Sequence, residues 1–138
     1  MTERIELPRA LVMALLHEAQ RSPHHEICGL IAVRGQSLRP VPVRNAAADR
    51  RRLFDMDERE LIDAMKTMRA NGETLFAIYH SHPDAAPAPS LTDIERAGYP
   101  DALHLIISLE TKGVLQMRGW RLADDVPRAV EIGVSDGA

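Results

Sequence analysis

The chain has 138 residues and a mass of 15.3 kDa, enough for one domain with a single core and too little for two ordinary ones. Its formal charge of -3 and pI near 6.1 supply no excess positive field for a phosphate backbone. Nucleic acid is thereby excluded as a main partner, and Arg50, Arg51 and Arg52 read as a solvated loop. The single cysteine, Cys28, rules out an internal disulfide and a multi-cysteine zinc cage, which makes a reducing cytoplasm the default location.

The first twenty residues, MTERIELPRALVMALLHEAQ, hold too short an apolar run for a transmembrane helix, and Glu3 and Glu6 stand where a signal peptide wants positive charge. A soluble protein with no membrane partner is expected. Residues 3–7 alternate polar and apolar as a short strand does, and Pro8 suits the first turn of a helix whose one side carries Leu11, Val12, Leu15, Leu16 and Ala19. After the turn RSPHH, EICGLIAVRG reads as a buried strand, with Glu26 at its start. SLRPVPVRNAA continues as a second strand whose prolines favour an edge. Asp57 followed by Glu60 predicts a capping box opening a second helix, with Leu61, Ile62, Met65 and Met68 on its apolar side and Asn71-Gly72 at its end. TLFAIYHSH is the most strand-like run, and SLTDIERAG predicts a short third helix opening at Ser90. LHLIISLE, GVLQMRGWRL and VPRAVEIGV complete the β segments. Interleaved strands and helices give an α/β fold class: one layered domain over residues 1–138, α/β/α or α+β, without repeats or an internal linker.

The chemistry concentrates in YHSHPDAAPAPSLTD, residues 79–93. Residues two apart on a strand share a face, so His80 and His82 can aim imidazole nitrogens at one point where the strand ends, while Ser81 faces away. The proline-rich loop turns the chain back, and Asp93, one turn into the next helix, can bring a carboxylate to the same point. Two neutral imidazoles and a carboxylate suit Zn²⁺ and leave a fourth tetrahedral position for water, the arrangement of a catalytic site. Peptide cleavage by such a water also needs a group to move its proton, best a carboxylate beside the metal; Glu26 is the candidate, its proximity resting on the family resemblance given next and not on the 54 residues that separate it from His80.

The pattern H-S-H-P, seven residues, Ser, two residues, Asp, with EICGL upstream, resembles the JAMM (MPN-plus) metallopeptidase signature, and the order of elements is similar to that of the compact bacterial members. The resemblance implies a mixed central sheet flanked by helices, the MPN/JAMM, cytidine deaminase-like fold. It implies His80, His82 and Asp93 as ligands of one zinc, Glu26 as general base and acid, and Ser90 as a hydrogen-bond donor to the catalytic water or the developing oxyanion. The implied substrate is a ubiquitin-like protein with a C-terminal Gly-Gly tail, here a bacterial sulfur carrier, cleaved after that tail.

Blander readings stand beside this one. Ser90 and Asp93 also fit the N-cap and N3 positions of a helix, a role compatible with the metal site. Cys28, with His24 or His25 as base, could suggest a nucleophile, but a small residue in an apolar strand reads as packing. His17 reads as a surface residue, His104 as a hydrogen-bonded, half-buried one, and Trp120 and Tyr79 as core or groove residues. Among other classes, a non-catalytic MPN-type scaffold should lack a ligand, and none is missing. An iron oxygenase more often sets its carboxylate beside the first histidine. A zinc nucleoside deaminase needs a P-C-x-x-C segment that is absent.

Overall fold

A computed structural model describes residues 3–96, 98–99, 101–110, 115–123 and 126–136. The chain runs β1 (Glu3–Pro8), α1 (Arg9–Gln20), β2 (Cys28–Arg34), β3 (Ser37–Val43), α2 (Glu58–Ala70), β4 (Thr74–His82), α3 (Leu91–Glu95), β5 (Leu103–Ser108), β6 (Gln116–Arg121) and β7 (Arg128–Ser135). All seven strands join one sheet in the order β1-β7-β6-β5-β4-β2-β3. The pairs β1/β7 and β4/β5 are parallel and the others antiparallel, so the sheet is mixed, as the sequence resemblance implied. β3, with Pro40 and Pro42, is an edge strand bonded to β2 alone, where the missing N–H groups cost no ladder on the open side. None of the described helices is long and apolar enough to cross a membrane.

The period-2 alternation of the strands divides the interior into two cores. Ile31, Ala77, Tyr79, Leu103, Leu105 and Ile107 turn to one face and meet Leu11, Val12, Leu15 and Ala19 of α1. Leu30, Ala32, Val43 and Ile78 turn to the other and meet Met68 of α2, with Leu61, Ala64 and Met65 partly buried around it. Ile62 departs from the expected apolar side: it is 47% exposed, because the second core is a small patch that Leu61, Met65 and Met68 already cover. The helix openings also differ in detail. Pro8 ends β1 and caps α1, which starts at Arg9. At α2 the Asp57 side chain accepts the Glu60 N–H at 3.0 Å, but the Glu60 carboxylate accepts the Arg44 N–H instead of closing the box, tying α2 to the end of β3. Part of the segment 113–122 lies outside the described residues, and its strand is seen from Gln116.

One close approach fixes β2 against β4. The Tyr79 ring lies flat over Gly29, its register partner, with ring atoms 2.5–2.6 Å from where a Cβ would stand, so only glycine fits. The Tyr79 hydroxyl then reaches α1 and donates to the Glu18 carboxylate at 2.7 Å. Helix α1, β2 and β4 are thus joined directly behind the end of β4 that carries His80 and His82.

Candidate metal centre

His80 and His82 are the last residues of β4 on the face shared with Ile78, and both are buried. α3 begins beyond the loop 83–89 with a complete capping box: Ser90 Oγ accepts the Asp93 N–H at 3.0 Å, and Asp93 Oδ2 accepts the Ser90 N–H at 2.9 Å. That same Oδ2 lies 3.1 Å from His80 Nε2 and 3.2 Å from His82 Nε2, and the two Nε2 atoms are 3.1 Å apart. The structure therefore brings together the three residues that the sequence pattern singled out, with three possible ligand atoms at the corners of a nearly equilateral triangle. Glu26 is 4% exposed and shares a group with the two histidines in which all candidate ligand atoms lie within 4.8 Å of one another; its Oε1 has no hydrogen-bond partner. Ser90 is exposed at the rim.

The triangle fits a cation. His82 Nδ1 lies 2.8 Å from the Ala86 carbonyl, which accepts its proton and leaves Nε2 of the neutral ring as a bare lone pair. Lone pairs and a carboxylate oxygen at this separation repel unless a positive charge sits among them. Two ligands on one tetrahedral zinc stand about 3.3 Å apart, given bonds of roughly 2.0–2.1 Å, and the observed edges are close to that.

Electrostatics point the same way. Burial lowers the pKa of His80 and keeps its ring neutral against the pull of Asp93. Burial also works to lower His82 and to raise Asp93, but once a proton sits between them the hydrogen bond and opposite charges it creates, with the bonds to Ala86 and Ser90, prevail: His82 is raised and Asp93 is held far below the usual carboxylate range. The trio thus asks for one positive charge, proton or metal. Burial pushes the Glu26 carboxyl up to about 8, opposed by His82 and reinforced by Asp93 and Asp49, so this group can hold a proton near neutral pH.

The scaffold around these side chains was not visible in the motif. Ser81, expected to face away, does so usefully: its Oγ accepts the Ile27 N–H at 2.9 Å and its own N–H donates to the Ile27 carbonyl at 3.1 Å, locking the start of β2, and Glu26 with it, onto the end of β4. Asn45 donates to the Glu26 carbonyl at 3.0 Å and the Leu53 carbonyl at 2.9 Å, and its Oδ1 accepts the N–H groups of Ala47 and Asp55. In the loop, three successive carbonyls are held by three strands: Ala85 by Ser108 Oγ at 2.7 Å, Ala86 by His82, and Pro87 by Trp120 Nε1 at 2.9 Å. Trp120 is accordingly half-buried, its indole spent on the loop; Tyr79 is the core residue. Phe54 stacks on His80 with centroids 4.4 Å apart and planes at 24°. A long-range hydrogen bond of this kind leaves no local sequence signal. His104 is hydrogen-bonded as expected, to the Tyr99 backbone, but is buried rather than half-buried; its Nε2 has no partner among the described residues, and burial depresses its pKa to about 4.

The pattern of the family described as prokaryotic homologs of the JAB domain matches residues 8–123. The chain belongs to the prokaryotic JAB-domain family. It is 38% identical over 95 residues to the desampylase of Haloferax volcanii, covering 65% of this chain and 67% of that protein. It is 31% identical over 117 residues to the CysO-cysteine peptidase of Mycobacterium tuberculosis, covering 83% and 80%. Among solved structures, protein DSY2949 of Desulfitobacterium hafniense superposes with a TM-score of 0.83 at 29% identity, covering 96% and 93%. This JAB-domain chain is a hydrolase.

Two cavities meet the trio of this JAB domain. One, of 430 Å³, reaches His80 and Asp93 and is walled mainly by Phe54, Met56, Leu61 and Ile78, with Arg96 also lining it. The other, of 480 Å³, reaches His82 and Ser90 and contains Glu26, Arg51, Arg52 and Asp84. Cys28 is no nucleophile for either: it is buried, its Sγ donates to the Val43 carbonyl, and burial pushes its thiol up to about 12.

Proposed function

We propose that the chain, acting as a single domain over residues 1–138 in the cytoplasm, is a zinc-dependent peptidase or isopeptidase that cleaves after the Gly-Gly tail of a ubiquitin-like, sulfur-carrier-type protein. The convergence of His80 Nε2, His82 Nε2 and Asp93 Oδ2 beside a buried Glu26 whose Oε1 has no hydrogen-bond partner among the described residues carries the reading. The names of the desampylase and the CysO-cysteine peptidase support the substrate class. The Gly-Gly tail follows from the motif resemblance.

In this reading His80, His82 and Asp93 hold one zinc. The metal supplies Lewis acidity, lowering the pKa of a water and polarising the scissile carbonyl. Glu26 takes the water's proton on a carboxylate oxygen and returns it to the leaving nitrogen, a task suited to a group whose proton affinity lies near the working pH. Ser90 accepts the Asp93 N–H through its Oγ and keeps its own hydroxyl proton free to donate to the oxygen that gains charge. The Ala86 carbonyl fixes the His82 ring, and Phe54 covers His80.

The test is to load the purified protein with zinc, incubate it with Gly-Gly-tailed carrier proteins extended by one residue, and follow intact mass. Loss of the added residue, abolished by a chelator and restored by zinc, is expected. Cleavage that survives complete metal removal refutes the mechanism.

A further inference from the structure

The three arginines 50–52, which the sequence presents as a solvated run, are fastened to the candidate site. The Arg50 carbonyl accepts the Glu26 N–H at 2.6 Å, and the Asp49 carbonyl accepts from the N–H groups of Arg52 at 3.3 Å and Leu53 at 3.0 Å. The run is therefore one helical turn laid against the start of β2, and it sets Arg51 and Arg52 in the wall of the 480 Å³ cavity that also meets Glu26, His82 and Ser90. Arg51 is already engaged: its Nε bonds Asp84 Oδ2 at 2.9 Å. Arg52 has no ion-pair partner among the described residues. The cavity has the size of a small-ligand site, and Arg52, an exposed residue of its wall without an ion-pair partner among the described residues, carries a guanidinium whose fork matches a planar carboxylate.

We propose that Arg52 binds the α-carboxylate of the leaving amino acid, so that the chain releases a single C-terminal residue in preference to a lysine-linked conjugate. The proposal rests on the peptidase reading above. In the hydrolysis the water oxygen joins the glycine carbonyl carbon, the C–N bond breaks with its electron pair going to nitrogen, and that nitrogen takes the proton carried by Glu26. The leaving nitrogen thus sits at Glu26, inside this cavity. In a released α-amino acid the carboxylate is one carbon away from that nitrogen, within reach of an arginine in the same wall. In an isopeptide the leaving nitrogen is a lysine Nζ at the end of a four-carbon stem, and the main chain beyond it presents amides. A guanidinium in this wall therefore distinguishes the two leaving groups by charge.

Three substrates built on one Gly-Gly-tailed carrier separate the cases: extended by alanine with a free carboxylate, extended by alanine amide, and joined to lysine through Nζ. The zinc-loaded protein is expected to favour the free acid over the amide by about 10- to 100-fold in kcat/KM, the worth of one charge-assisted hydrogen bond, with the difference carried by KM. Arg52→Ala should bring the free acid down to the level of the amide, and Arg52→Lys should keep part of the preference. Equal rates on acid and amide, or an Arg52→Ala that slows all three substrates alike, overturn the proposal and leave the peptidase reading standing. Cleavage of none of the three overturns both.

Discussion

Ser90 and Asp93 grip each other across the first turn of α3, and the Asp93 oxygen that closes this capping box, Oδ2, is the same atom that faces both histidines. The start of the helix and the donor triangle are therefore one structure: the cap holds the carboxylate in place before any ion arrives.

Asp93→Ala should consequently lose two things at once. Metal content per chain, measured by elemental analysis after dialysis, should drop well below that of the parent protein, since one of three proposed ligands is gone. α3, at five residues too short to persist on its own, should lose amide protection. Full metal occupancy in this variant would remove Asp93 from the ligand set.

Ser90→Ala keeps the carboxylate and removes one hydroxyl. Zinc content should hold, stability should fall by about 1 kcal/mol through the lost cap, and turnover should fall by roughly 10²- to 10³-fold, the scale of one oxyanion donor. A loss of stability with unchanged kcat would reduce Ser90 to a helix cap.

How much of this was legible in the sequence follows from the range of each interaction. His80, His82, Ser90 and Asp93 lie within fourteen residues, and strand alternation plus capping chemistry suffice to place them. The edge position of β3 was readable from Pro40 and Pro42 for the same local reason. Glu26 stands 54 residues from His80, and only the motif resemblance joined them; the physical link is Ser81 holding Ile27, which no local pattern announces. Asn45, Ser108 and Trp120 were missed because each acts by bonding a backbone carbonyl distant in the chain, and any carbonyl looks alike in a sequence. Ile62 was misplaced because helical periodicity marks an apolar stripe without saying how wide a patch awaits it.

Glu26→Gln separates proton transfer from metal binding. It preserves shape and removes the base, so zinc content should be retained while kcat falls by 10²- to 10⁴-fold. Loss of zinc would make Glu26 a ligand, the alternative its place beside both histidines leaves open to test.

The same variant reports on pH in the metal-free protein. Burial raises the Glu26 pKa to about 8, above an unfolded value near 4.5, so across that window the native state keeps a proton that the unfolded chain has released. Its stabilising contribution is complete below the unfolded pKa and is lost as pH rises through the folded one, at a slope approaching 1.4 kcal/mol per pH unit. The difference in unfolding free energy between wild type and Glu26→Gln, from urea titrations with chelator present, should therefore shift steadily against wild type from pH 5 to 8. A constant difference would show an ordinary carboxyl.

Gly29→Ala tests the contact behind the site. The added methyl meets the Tyr79 ring, so the ring must move and its hydrogen bond to Glu18 must break. A destabilisation of about 1–3 kcal/mol is expected from overpacking, read as a lower midpoint in urea. An unchanged midpoint would mean that the sheet yields there at no cost.

The parallel pairing of β1 with β7 joins segments 127 residues apart, Arg4 bonding Glu131 across the seam. In chain order β1 precedes its partner by five other strands, so it is made well before β7. For that interval it is an orphan strand that must neither pair with a neighbouring ribosome's product nor collapse onto the wrong edge. Arg4 and Glu6 on one face of β1, opposite Glu3, Ile5 and Leu7, suit such a wait, because charges along an unpaired strand discourage premature sheet growth. α1, which follows β1 directly, shares its core with Val130 of β7, so the strand that arrives last in chain order completes the apolar face that the first helix covers.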